Sequence, residues 1–493
     1  MDLLAHIAGE GIRLADTAIL LYYLTLNAFY VVLFAMAIPD LWRHLTLSDD
    51  VDERARLLSS EAFPPITVLV PAYNEEVTIV DSVRALLTLN YPRHEVVLVN
   101  DGSTDATMEH LIHAYDLYEV PPAYPVYIRT APVRAYYRSR RFSKLLVLDK
   151  SNGGKADSLN AAINAARFPF LLAVDADTII APDALQRVSR PILLGEHVAA
   201  VSATLRVANA CRIEHGRVTD ARVDRRWIPG CQVVEYLRAF LFGRTGWNAL
   251  GGNPIISGAF GLFRREYMLA IGGYQVGNVT EDFDLVVRLR RYLHDNKIKA
   301  TLPFIPDPIA WTEVPSTLRI LARQRERWHR GLIGTMVAHR DAVANRRYGP
   351  FGLVALPFLL IGEMFAPVVE LLGYVLTLLG LAFGLINWEF AGLFFLVAFG
   401  FGIVLSCLAI LLDELSFRRY ARAGDLARLF GYAVIESIGF RQLTVWFRLR
   451  GFWHWWRGSH SWGVMVREGF TGDQRGGSGG GRGAAGPRQR AAA

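Results

Sequence analysis

No charged residue interrupts the chain from Ala18 to Pro39, and a stretch of that length crosses a bilayer as a helix. Lipid offers no partner for backbone polar groups, so this segment can only be helical if it is embedded. A cleaved leader is the competing reading. The length of the stretch, Asp2 and Glu10 ahead of it, and the lack of a small-residue cleavage site behind it argue against that. Leu41-Trp42-Arg43-His44 comes next and puts an aromatic and a positive charge at the interface. The chain after about residue 42 is therefore expected on the cytoplasmic side.

A second apolar block runs from about Phe351 to Leu412, interrupted by Glu363, Glu370 and the Asn387-Trp388-Glu389 turn. A third lies between about Leu426 and Val445 and carries Arg428, Glu436 and Arg441. It can cross the bilayer or lie in its plane. The expectation is membrane anchoring at both ends with four or five crossings, in a multi-pass protein of the cell (inner or plasma) membrane. The tail from Gly472 to Ala493 is Gly, Ala and Arg with little else, too poor in apolar residues to bury a core.

Composition follows the same division. The chain is 52% hydrophobic and 20% charged, with a net charge of +7. Part of that charge sits in the tail and part flanks the apolar segments. No basic patch interleaved with aromatics marks a nucleic-acid module, so nucleic acid is not an expected partner. Cys211, Cys231 and Cys407 form no C-x-x-C pair, which argues against a zinc site or a disulfide framework.

Residues from about 64 to 345 alternate strand and helix signals. Ile66–Val70, Glu95–Val99 and Phe170–Val174 are short continuous apolar runs, while Glu76–Leu89 and Lys155–Ala166 are amphipathic. That alternation predicts an α/β fold with a mainly parallel sheet covered by helices on both faces. Ligands of such sheets bind at the carboxyl ends of the strands. All three runs end there in polar residues: Asn74-Glu75, Asn100-Asp101 and Asp175-Ala176-Asp177.

Four motifs carry chemistry. Asp175-Ala176-Asp177 sets two carboxylates where a hard divalent cation can sit beside a diphosphate; alone, such a pair is more often a solvated turn. Asn152-Gly153-Gly154-Lys155 opens a helix whose N-terminus favours an anion, although a simple helix cap with a solvated lysine would look the same. Thr280-Glu281-Asp282 begins an amphipathic helix, with Thr280 as the expected N-cap and the acids at the positive end. Gln324-Arg325-Glu326-Arg327-Trp328 offers guanidinium groups for a pyrophosphate and an indole for a pyranose ring, or else an interfacial anchor.

Taken in chain order, with Pro71-Ala72-Tyr73-Asn74-Glu75, Asp101 and Ser257-Gly258 added, the series resembles the family 2 glycosyltransferases of the processive membrane type, such as cellulose, hyaluronan and poly-N-acetylglucosamine synthases. The resemblance covers about residues 60 to 470. It implies a nucleotide-diphospho-sugar transferase (GT-A-like) domain with transmembrane helices at both ends. It implies an inverting transferase moving a sugar from a UDP-sugar to a growing β-linked polysaccharide, coupled to membrane translocation. Single addition to a membrane lipid acceptor is the alternative.

The resemblance also implies roles at matching positions. Tyr73, Glu75 and Asp101 would hold the nucleoside, and Lys155, Asp175 and Arg327 the diphosphate and sugar. Asp177 would ligate Mg2+ or Mn2+, and Asp282 would be the catalytic base. Ser257, Gly258, Gln324 and Trp328 would form the acceptor site. Trp462 and Arg467 resemble a gating segment. The implied layout is an anchor over 1–45, a cytosolic domain over 46–345, membrane and interfacial helices over 346–450, the gating segment over 451–471 and the tail over 472–493. Expected partners are the donor, the glycan, the bilayer and accessory secretion or modification proteins.

Overall fold

The computed structural model describes residues 2–57, 62–214, 216–384, 388–420 and 422–458. Its strands are β1 (Ile66–Ala72), β2 (His94–Asn100), β3 (Leu117–Val120), β4 (Val133–Ser139), β5 (Leu145–Lys150), β6 (Phe170–Val174), β7 (Ile179–Ile180), β8 (Ala200–Val207), β9 (Arg212–Glu214), β10 (Arg217–Asp220), β11 (Phe260–Arg264) and β12 (Phe304–Thr312). Ten of them make one sheet in the order β3-β4-β5-β2-β1-β6-β11-β8-β12-β7, and β9 and β10 form a separate ribbon.

The four central strands β5, β2, β1 and β6 are parallel, as is the β8–β12 pair. Alternate residues of these strands enter two different cores. Val68, Val70, Val96 and Leu98 pack with Ile79, Val83 and Leu111 on one face. Leu69, Val97 and Val99 pack with Ala162, Ile163, Leu285 and Leu289 on the other. Burial on both faces is why the strands read as unbroken apolar runs. Each buried Val or Leu side chain contributes about 1.5–3 kcal/mol.

The sheet is less uniformly parallel than the sequence suggests. β11 is wedged between β6 and β8 and runs against both. Its first residue, Phe260, pairs with Val174, the last of β6. The chain therefore enters β11 at the same edge at which β6 leaves the sheet. That reversal drops the Ser257-Gly258-Ala259 turn beside Asp175.

Three helices are long and apolar enough to cross a membrane among the described residues: Leu14–Thr46, Phe351–Ala382 and Ala391–Phe417. The third apolar block, expected either to cross the bilayer or to lie in its plane, is not among them. It folds as two helices, Ala423–Ile435 and Arg441–Trp456, separated by non-helical backbone at Ile438 and by Gly439 at φ 117. Buried Glu436 lies between them. The first of the two packs on the helix Trp227–Leu237, so closely that a Cβ on Gly230 would lie 2.2 Å from the Tyr432 ring. Cys211, Cys231 and Cys407 are free thiols.

Candidate functional site

The carboxyl edge of the sheet is laced together strand by strand. Asp101 N, just past β2, donates to Ala72 O at the end of β1 (2.9 Å). Asn74 sits at φ 55, and its Oδ1 accepts from Thr104 N at 2.8 Å. Glu75 N donates to Thr107 Oγ1 at 2.8 Å. These bonds hold the Tyr73–Glu75 turn against the loop after β2, with Tyr73 at the exposed rim.

Asp101 itself is buried and occupied. Its Oδ1 accepts from Lys150 Nζ (2.7 Å) and Gly153 N (3.0 Å), and its Oδ2 accepts from Gly154 N (2.8 Å). Lys150 is fully buried and also meets Asp157 at 2.6 Å. The observed partners of Asp101 are thus the glycine loop that opens the helix Lys155–Ala165. Gly154 takes φ 86 at the cap of that helix, a conformation that favours glycine. A Cβ on Gly153 would lie 2.5 Å from Asp157 Oδ1.

Lys155, the first residue of that helix, reaches Asp175 Oδ1 at 2.5 Å and Glu281 Oε1 at 3.7 Å. It also donates to Gly258 O at 3.4 Å. Burial works against its charge, but Asp175, Glu281 and Asp282 together hold its pKa above the ordinary lysine value. Glu281 is raised, chiefly by burial with Asp282 adding, although Lys155 opposes the shift. Asp282 faces the β11 turn: its Oδ2 accepts from Gly258 N at 2.8 Å. A Cβ on Gly258 would lie 3.1 Å from Lys155 Nζ and 3.2 Å from Asp282 Oδ2, so glycine allows the approach. Thr280 is the N-cap of the helix Glu281–Asp295 by position, as expected, but its side chain makes no cap hydrogen bond.

The helix Leu318–Ala338 brings in Gln324, Arg327 and Trp328. It lies on the Thr280 turn at close range, since a Cβ on Gly331 would meet Thr280 Cγ2 at 2.3 Å. Arg325 makes a two-point pair with Glu235 (2.6 Å each) and stands 4.8 Å from the Trp328 ring centroid.

One cavity of about 1630 Å³ takes in Tyr73, Glu75, Asp101, Lys155, Asp175, Asp177, Ser257, Gly258, Asp282, Gln324, Arg327 and Trp328. Every site residue named from the sequence lines it except Trp462 and Arg467, which lie outside the described residues. Among the described residues no three His, Cys, Asp or Glu side chains form a metal-holding cluster. A cation here would be held by one or two carboxylates and completed by phosphate oxygens, the usual arrangement for magnesium. The donor set, all hard oxygen, fits such an ion.

The cavity also continues between the apolar helices, past Tyr30, Glu363, Glu370, Glu436, Arg441 and Arg448. In the sequence these acids interrupt or punctuate the apolar runs. An ionisable group in an apolar run is nonetheless a signal of function or of pairing, and here they are paired. Arg238 Nη1 meets Glu436 Oε2 at 2.7 Å, Arg441 Nη2 meets Glu370 Oε2 at 3.4 Å, and Arg448 Nη2 meets Glu363 Oε2 at 3.2 Å. Arg238 and Arg244, at the ends of a π-helical turn, carry no local sequence mark at all, yet both line the cavity.

Residues 133–331 match the family described as "Glycosyltransferase like family 2", and residues 67–119 match "Glycosyl transferase family 2". The poly-beta-1,6-N-acetyl-D-glucosamine synthase of Staphylococcus aureus (strain COL) is 28% identical over 294 residues, 59% of this chain and 60% of the relative. The synthase of the same name from Staphylococcus epidermidis is 28% identical over 276 residues, 56% of each. The match thus spans about 60% of these relatives' length. Among solved structures, the mannosyltransferase PcManGT of Pyrobaculum calidifontis superposes with a TM-score of 0.46 at 20% identity, over 83% of this chain and 98% of that one. TarS 1–349 of S. aureus gives 0.37 at 15% identity, over 77% and 91%. Residues 67–119 and 133–331 are thus similar to family 2 glycosyltransferases, and the chain joins that region to helices long and apolar enough to cross a membrane.

Proposed function

We propose that the protein is an inverting, metal-dependent glycosyltransferase that moves a sugar from a UDP-sugar to the end of a growing β-linked glycan. Its catalytic part would face the cytoplasm of a cell carrying it in its inner or plasma membrane. The observation that carries this reading is the presence of Asp177 and Asp282 on the wall of one cavity. Separated by more than a hundred positions in sequence, they share a space large enough for a donor and an acceptor together.

In this reading Tyr73 and Glu75 hold the nucleoside, and Asp101 positions the Gly153-Gly154 loop for it. Lys155, at a helix N-terminus, and Arg327 receive the diphosphate, while Asp175 orients Lys155 and the sugar. Asp177, with Asp175 nearby in the chain, would hold Mg2+ or Mn2+, which when bound neutralises charge on the departing diphosphate. Asp282 takes the proton of the acceptor hydroxyl as its oxygen attacks the anomeric carbon; the Gly258 N–H fixes the carboxylate in place. One base and one in-line displacement invert the anomeric configuration, so an α-linked donor gives a β-linked product. Gln324 and Trp328 present the acceptor, with Ser257 and Gly258 along its path. The continuation of the cavity between the apolar helices supports passage of the product through them.

The names of the matched relatives make UDP-N-acetylglucosamine the first donor to test, with UDP-glucose beside it. Purified full-length protein supplied with either donor and Mg2+ or Mn2+ should release UDP and build long chains. A product consisting only of singly glycosylated lipid would replace the polymer reading with the lipid-acceptor one. The Asp282→Asn variant should lose turnover by about a thousandfold or more while still binding donor. Loss of donor binding in that variant would refute the base assignment.

A further inference from the structure

Arg244 closes the π-helical turn Arg238–Arg244 and lines the cavity. Lys155, Arg238, Arg325, Arg441 and Arg448 line it too, and each of these meets a carboxylate. Arg244 meets none among the described residues. Its guanidinium lies over the Phe240 ring, 4.1 Å from the centroid. Burial pulls its pKa down to about 10, although the charges of Asp282 and Tyr236 oppose the shift. The group is therefore still a cation at neutral pH, with no counter-charge in contact. A partly enclosed charge of this kind is costly until something pairs with it.

Its nitrogens differ in what they can reach. Nη1 is sealed in the wall. Nε and Nη2 are neither sealed in this way nor hydrogen-bonded among the described residues, so they keep open surface, and the space that Arg244 lines is the cavity. Together they form one two-donor edge of the guanidinium fork. The turn sets that edge between the two ends of the cavity. At its start Arg238 donates to Ser406, on the helix Ala391–Phe417, at 2.7 Å. Just past its end, a Cβ on Gly246 would lie 2.4 Å from Leu33 O of the first apolar helix. Asp282 is the acid whose charge Arg244 feels most. Arg244 thus stands where the proposed base faces the passage between the helices, and the end of a growing glycan would lie there.

We propose that Arg244 is a specificity-determining residue of the acceptor site, its Nε–Nη2 edge donating to two neighbouring oxygens of the acceptor sugar beside the hydroxyl that Asp282 deprotonates. The inference deepens the glycosyltransferase reading and rests on it for the identity of the ligand. Adjacent oxygens on a sugar ring suit a planar pair of donors, which a single ammonium does not reproduce. The positive charge strengthens such hydrogen bonds over neutral ones, and the glycan supplies the acceptors that the fold withholds.

The test is calorimetric titration of the full-length protein in detergent, with UDP and Mg2+ present, using short oligosaccharides of N-acetylglucosamine and of glucose as probes. Wild type should bind at least one of them. Arg244→Gln should weaken that binding about tenfold. Arg244→Lys keeps a cation over Phe240, which guards the fold, but it lacks the fork and should lose nearly as much. UDP affinity and the unfolding midpoint should stay near wild type in both variants. Equal oligosaccharide affinity in wild type and Arg244→Gln would overturn the proposal. So would full recovery in Arg244→Lys, which would leave only a charge effect on Asp282. Matching losses of UDP and oligosaccharide affinity, or no binding of either probe by wild type, would overturn it as well. Binding that depends on Arg244 without any sugar transfer would leave this inference standing and defeat the enzymatic reading instead.

Discussion

The two ends of the cavity handle charge in opposite ways. At the end between the apolar helices, each carboxylate has its own arginine: Glu436 with Arg238, Glu370 with Arg441, Glu363 with Arg448. At the sheet edge, Asp175 and Glu281 share Lys155, while Asp282 turns to the backbone N–H of Gly258. The first arrangement is closed, one pair at a time, and its work is structural. The second concentrates negative charge around one ammonium, which suits a place where a cation and a proton are to be received. In the proposed reading the same residue types serve shape at one end and chemistry at the other, and the local balance of partners tells them apart.

That contrast can be broken most severely at Asp177. Asp177→Ala should abolish metal-stimulated UDP release, a loss of about a thousandfold or more, while the unfolding midpoint in detergent stays near wild type. A large drop in that midpoint would move Asp177 to the structural class. Glu436→Gln should do the reverse. It leaves the Arg238 guanidinium without its charge partner at a largely buried site, which costs about 3 kcal/mol of stability. Thermal unfolding in detergent checks this, and an unchanged midpoint would show that the membrane-end pairs do not hold the helices.

A smaller effect is expected at Asp284, two residues from Asp282 on the same helix. Burial alone would raise its pKa, but hydrogen bonds from His339 (3.1 Å) and Arg288 (2.7 Å) hold it below the usual carboxylate value. A carboxyl depressed in the folded state stabilises above its unfolded pKa, near 3.9. That contribution is lost as the pH falls through the lower folded value. Asp284→Asn should therefore cost about 1–2 kcal/mol at neutral pH, and progressively less on acidification below about pH 4. A pH-independent difference between the two proteins would contradict the ionised pairing.

Local patterns made the donor end legible. The strand ends at Ala72, Asn100 and Val174 follow from apolar runs that stop at polar residues, and the residues just past them reach one cavity because parallel strands share an edge. The rest depends on pairings that no window of sequence contains. Asp101 binds Lys150, 49 positions later, so its positioning contacts were invisible beside its motif. Arg238 and Glu436 are 198 positions apart. The third apolar block is a case of the same kind: Glu436 and Arg441 are satisfied by partners on other helices, which hydropathy does not see.

The reversed strand β11 bears on how much change the site can absorb. Five consecutive residues, Phe260 to Arg264, are matched one to one with Val174 back to Phe170. The distance between the Asp175–Asp177 turn after β6 and the Ser257-Gly258 turn is thereby set by a count of rungs rather than by any side chain. Sliding the ladder by a single rung would carry the turn about 3.3 Å along the sheet and send Phe260 to the opposite face. The apolar side chains on those rungs can vary in kind without disturbing the alignment, whereas an insertion or deletion between Val174 and Phe260 is harmless only where it loops out and leaves the count intact.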